Sequence, residues 1–278
     1  MKLNVKMIII AFVLAAACFL VLKTCHGPKT KYRIIKIGQE EKKKKPLPQP
    51  MAIKGKIAIV IDDWGYTKKN LTARKEINEP LTMAILPNLP ESSFILDEAK
   101  KNGYEYILHL PLESKANKAA EKDTIYCSMP DQEIKNKLHQ ALKKISGAKG
   151  VNNHQGSRAT ENKRVMACIM SELKRSGLFF LDSVTTDDSI CKNAAKEAGV
   201  KIIERDVFLD TPAIKMDDKG LTDYVKQKLI ELSNIAIKRG YAVGIGHDKK
   251  VTLSVLKEVM PKLEKKGIKF VFVRELAE

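Results

Sequence analysis

Beyond Gly55 the chain alternates short runs rich in Ile and Val with stretches of helical periodicity. The runs are IAIVI (57–61), LTMAIL (81–86), YEYILHL (104–110), GLFFLD (177–182), VKIIE (200–204), YAVGIG (241–246) and IKFVFV (268–273). Between them lie amphipathic stretches at Ser92–Lys101, Asp131–Ile145, Glu161–Arg175, Ser189–Ala198, Leu221–Arg239 and Val251–Lys265. A strand that is apolar at successive positions is buried on both faces, and the intervening helices supply the cover. The pattern predicts an α/β fold: an irregular (β/α) barrel of about seven parallel strands, or else a doubly wound sheet. Gly103, Gly177, Gly199, Gly240 and Gly267 stand just before strands, where a helix C-cap belongs.

The start of the chain obeys other rules. Lys2 and Lys6 precede the uncharged apolar run Met7–Leu22, which Lys23 closes. Its length falls between the apolar region of a signal peptide and the about 20 residues of a spanning helix. Lysines at both ends can snorkel and extend it. We expect an uncleaved signal anchor over residues 1–23. Cys18 follows three alanines, as at a lipoprotein cleavage site, but Phe19–Leu22 is too apolar for a mature lipoprotein start. Residues 24–54 are rich in Lys and Pro, with Lys42–Lys45 followed by Pro46, Pro48 and Pro50, and suit an extended, self-repelling linker. Residues 55–278 form the globular part.

Net charge is +17, yet residues 1–56 hold 13 Lys and Arg against Glu40 and Glu41, so +11 of it lies in the extension. The globular part has no basic helix with interleaved aromatics, which disfavours nucleic acid as a partner. A basic stretch beside an apolar run suits a membrane or an anionic envelope surface. The five cysteines show no CxxC spacing, so neither a disulfide framework nor a zinc ribbon is indicated, and buried or free thiols are expected.

In parallel α/β folds, reactive groups gather at the C-terminal ends of strands. Polar residues directly after the apolar runs are Asp62 and Asp63, His109 through Glu113, Asp182, Arg205, Asp206, Asp210, and His247 with Asp248. The Gly-punctuated segment GVNNHQGSRAT (150–160), read as a loop, adds His154, Ser157 and Arg158. His26 lies beside the anchor, and His139, one step off a helical apolar stripe, is expected in solvent. Two adjacent carboxylates at a strand end need a cation or donors to ionise together. Asp63 capping the following helix is the structural alternative. An Asp with two neutral imidazoles makes a three-ligand set with open positions, which suits catalytic Zn²⁺ or a similar divalent metal.

IAIVIDDWGY resembles the first motif of the polysaccharide deacetylase superfamily. The ordered run IDDWGY, LTMAILPNLP, GYEYILHLPLE, GVNNHQGSRAT, LFFLDSVTT, RDVFLD and GYAVGIGH resembles the divergent polysaccharide deacetylase family over roughly residues 55–275. The resemblance implies a deformed barrel and metal-dependent hydrolysis of an amide or ester on a carbohydrate. Carried over by position, Asp62 would be the general base, Asp63, His109 and His154 the metal ligands, and His247 the general acid. Arg158 and Asp182 would line the pocket, with Arg205, Asp206 and Asp210 behind these groups or touching substrate. Ordinary members take both metal imidazoles from one HxxxH segment. Here that segment ends in Glu113, so Glu113 or His154 completes the set, and His154 is preferred. Asp248 stands where the family often has Pro.

The expectation is therefore a membrane-anchored, extracytoplasmic enzyme that removes acyl groups from an envelope or extracellular polysaccharide with a divalent metal, zinc first. A non-catalytic glycan-binding or envelope-organising domain on the same fold is the alternative. A glycosidase pairing Asp62 with Asp182 or Asp206 would leave the clustered imidazoles unexplained.

Overall fold

A computed structural model describes residues 52–116 and 120–277. The anchor expected over 1–23 and the linker up to residue 51 lie outside the described residues. Among the described residues, no helix is long and apolar enough to cross a membrane.

The strands are β1 (Gly55–Trp64), β2 (Thr82–Ile85), β3 (Tyr106–Leu112), β4 (Gly150–Gln155), β5 (Phe179–Asp182), β6 (Ile202–Glu204), β7 (Val207–Phe208), β8 (Tyr241–His247) and β9 (Ile268–Val271). The helices are α1 (Leu71–Lys75), α2 (Ser92–Lys101), α3 (Asp131–Lys144), α4 (Lys163–Ser176), α5 (Cys191–Ala198), α6 (Asp218–Arg239) and α7 (Lys250–Glu264). All pairings are parallel, in the order β6-β5-β4-β3-β2-β1-β8-β7. β9 joins β1 along residues 55–58, below the stretch that pairs with β2. The sheet curls into an open barrel whose edges, β6 and β7, are bridged by Arg205 and Asp206. Their N–H groups donate to Asp182 at 3.0 Å and Val243 at 2.9 Å.

Each of the seven apolar runs contains a strand, and two further strands complete the sheet. β4 is the segment read as a loop; its buried Asn152 and Asn153 broke the apolar pattern. β7, only two residues long, is too short to leave a periodic signal. Gly177 and Gly199 end α4 and α5 in the left-handed conformation, at φ 65° and 66°, where a β-carbon is costly. Asn162 caps α4 by accepting from the Val165 N–H at 3.1 Å.

Strand parity divides the core in two. Ala58, Val60, Ile107, Phe179, Leu181 and Val243 face the barrel interior, which Val273, Leu276 and Ala277 of the C-terminal segment also fill. Ile57, Ile59, Ile61, Met83, Leu108 and Phe180 face the helices. Full burial of each such side chain stabilises the fold by about 1.5–3 kcal/mol. Gly244 faces the helices too. A β-carbon there would lie 2.7 Å from Leu232 Cδ2 on α6, so glycine lets that helix close on β8.

Candidate functional site

The same parity, carried to the strand ends, turns Asp62, His109, His154, Ser183 and His247 toward one mouth of the barrel. Adjacent strands pair Asp62 with His247 and His109 with Asn152. There they line a cavity of about 360 Å³. Asp63 should point the other way, but the β1–β2 register shifts between Ile61 and Trp64, and this irregularity lets both carboxylates reach the cavity. Asp63 has φ 66°, and Gln155 and Val184, at 56° and 48°, are similarly left-handed. Such backbone costs of order 1–3 kcal/mol per residue and is concentrated around this mouth. The remaining wall is neutral, with Ser157, Gln155, Ser183, Thr185 and Phe208 among its members.

Asp63, His109 and His154 form a tight triangle. Asp63 Oδ1 lies 3.3 Å from His109 Nε2 and 3.2 Å from His154 Nδ1, and the two nitrogens are 3.2 Å apart. Four-coordinate zinc with bonds near 2.0–2.1 Å spaces its ligands by about 3.3 Å. Asp63 Oδ1 is also buried without a well-aligned hydrogen bond. The three groups therefore fit a divalent cation, as a carboxylate and two imidazoles at the wall of the cavity. Burial alone would raise the Asp63 carboxyl, but the His109 and His154 imidazoles hold it well below the usual carboxylate range.

Asp62 stands beside this triangle, with Oδ2 3.7 Å from His109 Nε2 and Oδ1 accepting from Asn152 Nδ2 at 2.9 Å. Burial pushes its carboxyl above the ordinary value, against the opposing charges of His109 and His247. Across the mouth, His247 is held by Asp210 and stacks on Phe208, with ring centroids 6.0 Å apart. Phe208 in turn lies under the Arg205 guanidinium at 3.8 Å. That guanidinium donates to the main-chain oxygens of Ser183 at 2.6 Å and Val184 at 2.7 Å, clamping the strained turn.

Three sequence expectations, those for Arg158, Asp182 and Asp206, need correction. Arg158 does not line the cavity; its side chain is turned to Glu113, 3.4 Å away. Asp182 is on the helix-facing parity, where it accepts from the Val184 N–H and the Ser189 hydroxyl at 2.8 and 2.6 Å. Asp206 accepts from the Val243 N–H at 2.8 Å and pairs with Arg239, and with Arg205 it borders a separate groove. Asp210 reaches the site only through His247. Glu113 Oε2 accepts from the Cys127 N–H at 2.6 Å, outside the donor triangle. Trp64 is fully buried, whereas Tyr66 is half exposed with its hydroxyl on Glu121. His139 is paired with Glu172 at 3.0 Å. Cys127, Cys168 and Cys191 are free thiols. Asn152 is a site residue that the sequence motifs do not mark; its one sequence signal is its place two residues before His154, on the same face of β4.

The chain thus presents an open parallel barrel with an Asp/His cluster at the C-terminal ends of its strands. Residues 59–277 match the divergent polysaccharide deacetylase family, and the chain belongs to it. It is 34% identical over 206 residues to the uncharacterized protein YibQ of Escherichia coli, covering 74% of this chain and 62% of that one. An uncharacterized protein of Haemophilus influenzae is 33% identical, covering 72% of this chain and 69% of the relative. Among solved structures, an uncharacterized protein from Agrobacterium tumefaciens superposes with a TM-score of 0.75 at 23% identity, covering 82% of this chain and 92% of that one. The catalytic domain of a peptidoglycan N-acetylglucosamine deacetylase from Eubacterium rectale gives 0.50 at 18%, covering 78% and 88%. The likeness to both structures is one of fold.

Proposed function

We propose that this chain is a metal-dependent hydrolase that removes acyl groups, acetyl first, from an envelope or extracellular polysaccharide. The observation that carries the reading is the near-equilateral donor triangle beside Asp62 and opposite the His247–Asp210 pair. Asp63, His109 and His154 would hold the cation. A bound divalent ion supplies Lewis-acid polarisation of the acyl carbonyl and makes water more acidic.

Asp62 takes the proton of the attacking water, a task for which its raised pKa and its position at the cavity suit it. Asn152 keeps Asp62 oriented. His247, held above its ordinary pKa, donates a proton to the departing nitrogen or oxygen. Its Nδ1 is engaged by Asp210, which leaves Nε2 for the leaving group. The neutral hydroxyl and amide groups around the mouth suit a polyhydroxylated substrate, and Phe208 offers an apolar wall.

The signal-like start and the basic linker support a membrane-anchored enzyme working outside the cytoplasm. Protease added to intact spheroplasts should then digest the globular part. The activity is tested by acetate release from acetylated amino-sugar polymers, with zinc-loaded and zinc-stripped full chain. We expect release only from the loaded protein. Equal release after stripping would remove the metal from the account, and polymer retention without any acetate would replace catalysis by glycan binding.

A further inference from the structure

Asn152 is fully buried on β4, opposite His109 in the sheet register. Its amide offers one acceptor oxygen and two N–H donors, and each has a neighbour. Ser183 decides which end is which. The Ser183 hydroxyl donates its one proton to the Asn153 carbonyl at 3.0 Å, so it presents a lone pair to Asn152 Nδ2 at 3.4 Å. The NH₂ group therefore faces Ser183 and Asp62, the latter at 2.9 Å, and the amide oxygen faces His109 Nδ1 at 2.8 Å.

An acceptor at that place requires a neutral His109 to carry its proton on Nδ1. The lone pair is then on Nε2, the atom that stands 3.3 Å from Asp63 Oδ1 and 3.2 Å from His154 Nδ1. We propose that Asn152 is a positioning residue that locks His109 in the Nδ1–H tautomer. In this way it sets the affinity of the Asp63, His109 and His154 group for a divalent cation. The same amide fixes Asp62, so one side chain orients both a ligand and the neighbouring base. The affinity claim rests on the metal reading above; the tautomer claim does not.

The test uses the full chain labelled with ¹⁵N-histidine and stripped of metal, at a pH where its imidazoles are neutral. Wild type is compared with Asn152→Leu, which keeps the volume and loses the amide, and Asn152→Asp, which keeps an acceptor for His109. Nitrogen shifts should show His109 as Nδ1–H in wild type and N152D, and as a mixture or Nε2–H in N152L. Zinc affinity should fall roughly 10–100-fold in N152L and recover to within a few-fold in N152D. A merely structural role predicts no such recovery. Should N152L not fold, Asn152→Ser, too short to span the gap, is read in its place. An unchanged tautomer and affinity without the amide would overturn the proposal, as would His109 in the Nε2–H form in the stripped wild type. A wild-type chain that locks the tautomer yet takes up no zinc overturns the metal reading and, with it, the affinity claim alone.

Discussion

His247 and Asp210 are joined twice. The imidazole Nδ1 lies 2.7 Å from Asp210 Oδ1, and the backbone N–H of His247 donates to Oδ2 at 2.9 Å. The Thr252 hydroxyl donates to the same Oδ2 at 2.6 Å, so the carboxylate is fixed before it meets the ring. Burial alone would lower the His247 pKa; the hydrogen bond and charge of Asp210 outweigh it, helped by Asp62 and Asp63.

Asp210→Asn removes that charge, so the imidazole pKa should fall. A proton donor works only while protonated, and the alkaline limb of kcat/KM should therefore move to lower pH. A loss of about 100-fold in kcat is expected at neutral pH, with zinc uptake unchanged. The measurement is a pH–rate profile of both proteins alongside metal analysis. An unmoved limb would mean that His247 is not the proton donor.

Metal content separates the two ligand sets that the sequence allowed. His154→Ala deletes one corner of the triangle and should abolish stoichiometric zinc. Glu113→Gln should retain zinc, because that carboxylate is engaged by the Cys127 N–H and by Arg158. Its cost should fall on stability, since it removes a charge-assisted hydrogen bond worth about 1.5–3 kcal/mol. Metal analysis and thermal unfolding of the two variants read these outcomes. Zinc lost from E113Q and kept in H154A would reverse the assignment.

Asp62 and Asp63 are neighbours with different expected failures. Asp62→Asn should keep zinc within a few-fold of wild type while turnover drops by about 10²–10⁴, the range for a lost general base. Asp63→Asn should lose the metal itself. Paired zinc-binding and acetate-release measurements make the comparison, and loss of zinc from D62N would make Asp62 a ligand.

Much of this was legible because apolar strands declare themselves. IAIVI and YAVGIG mark β1 and β8, and the polar residues that end them, with His109 at the end of YEYILHL, do reach one cavity. β4 was not legible, since its inner face carries Asn152 and His154, and buried polar side chains look like a loop when judged by hydropathy. Asp182 was misplaced for a different reason. It ends an apolar strand as Asp62 does, but Phe179 and Leu181 take the inner parity, so Asp182 turns outward and Ser183 turns in. Counting by twos along β5 would have separated them. Arg158 defeats any local rule, because its partner Glu113 lies 45 positions earlier and only the fold brings them together. That Asp62 and Asp63 both face the cavity depends on an irregular register at the end of β1, which the letters Asp-Asp do not reveal.

Asp248, next to His247, gives a prediction about stability. Its backbone is well used: the N–H donates to the Asp62 carbonyl at 3.0 Å, and its own carbonyl accepts from Asn70 Nδ2 at 3.0 Å. Its side-chain oxygens, in contrast, are buried without hydrogen-bond partners. Burial pushes the carboxyl from 3.8 up to about 6. A folded pKa above the unfolded one means that ionisation works against the native state. The stability present below about pH 4 is lost as pH rises through 6. At about 1.4 kcal/mol per pH unit the full effect is about 3 kcal/mol, and partial solvent access reduces it to about 1–2 kcal/mol. Asp248→Asn keeps the shape and cannot ionise. It should therefore be more stable than wild type by that amount at pH 8, with the advantage shrinking below pH 6 and gone near pH 4. Chemical denaturation of both proteins across this range measures the gap, and a gap that is constant with pH would show that the Asp248 carboxyl does not carry the penalty.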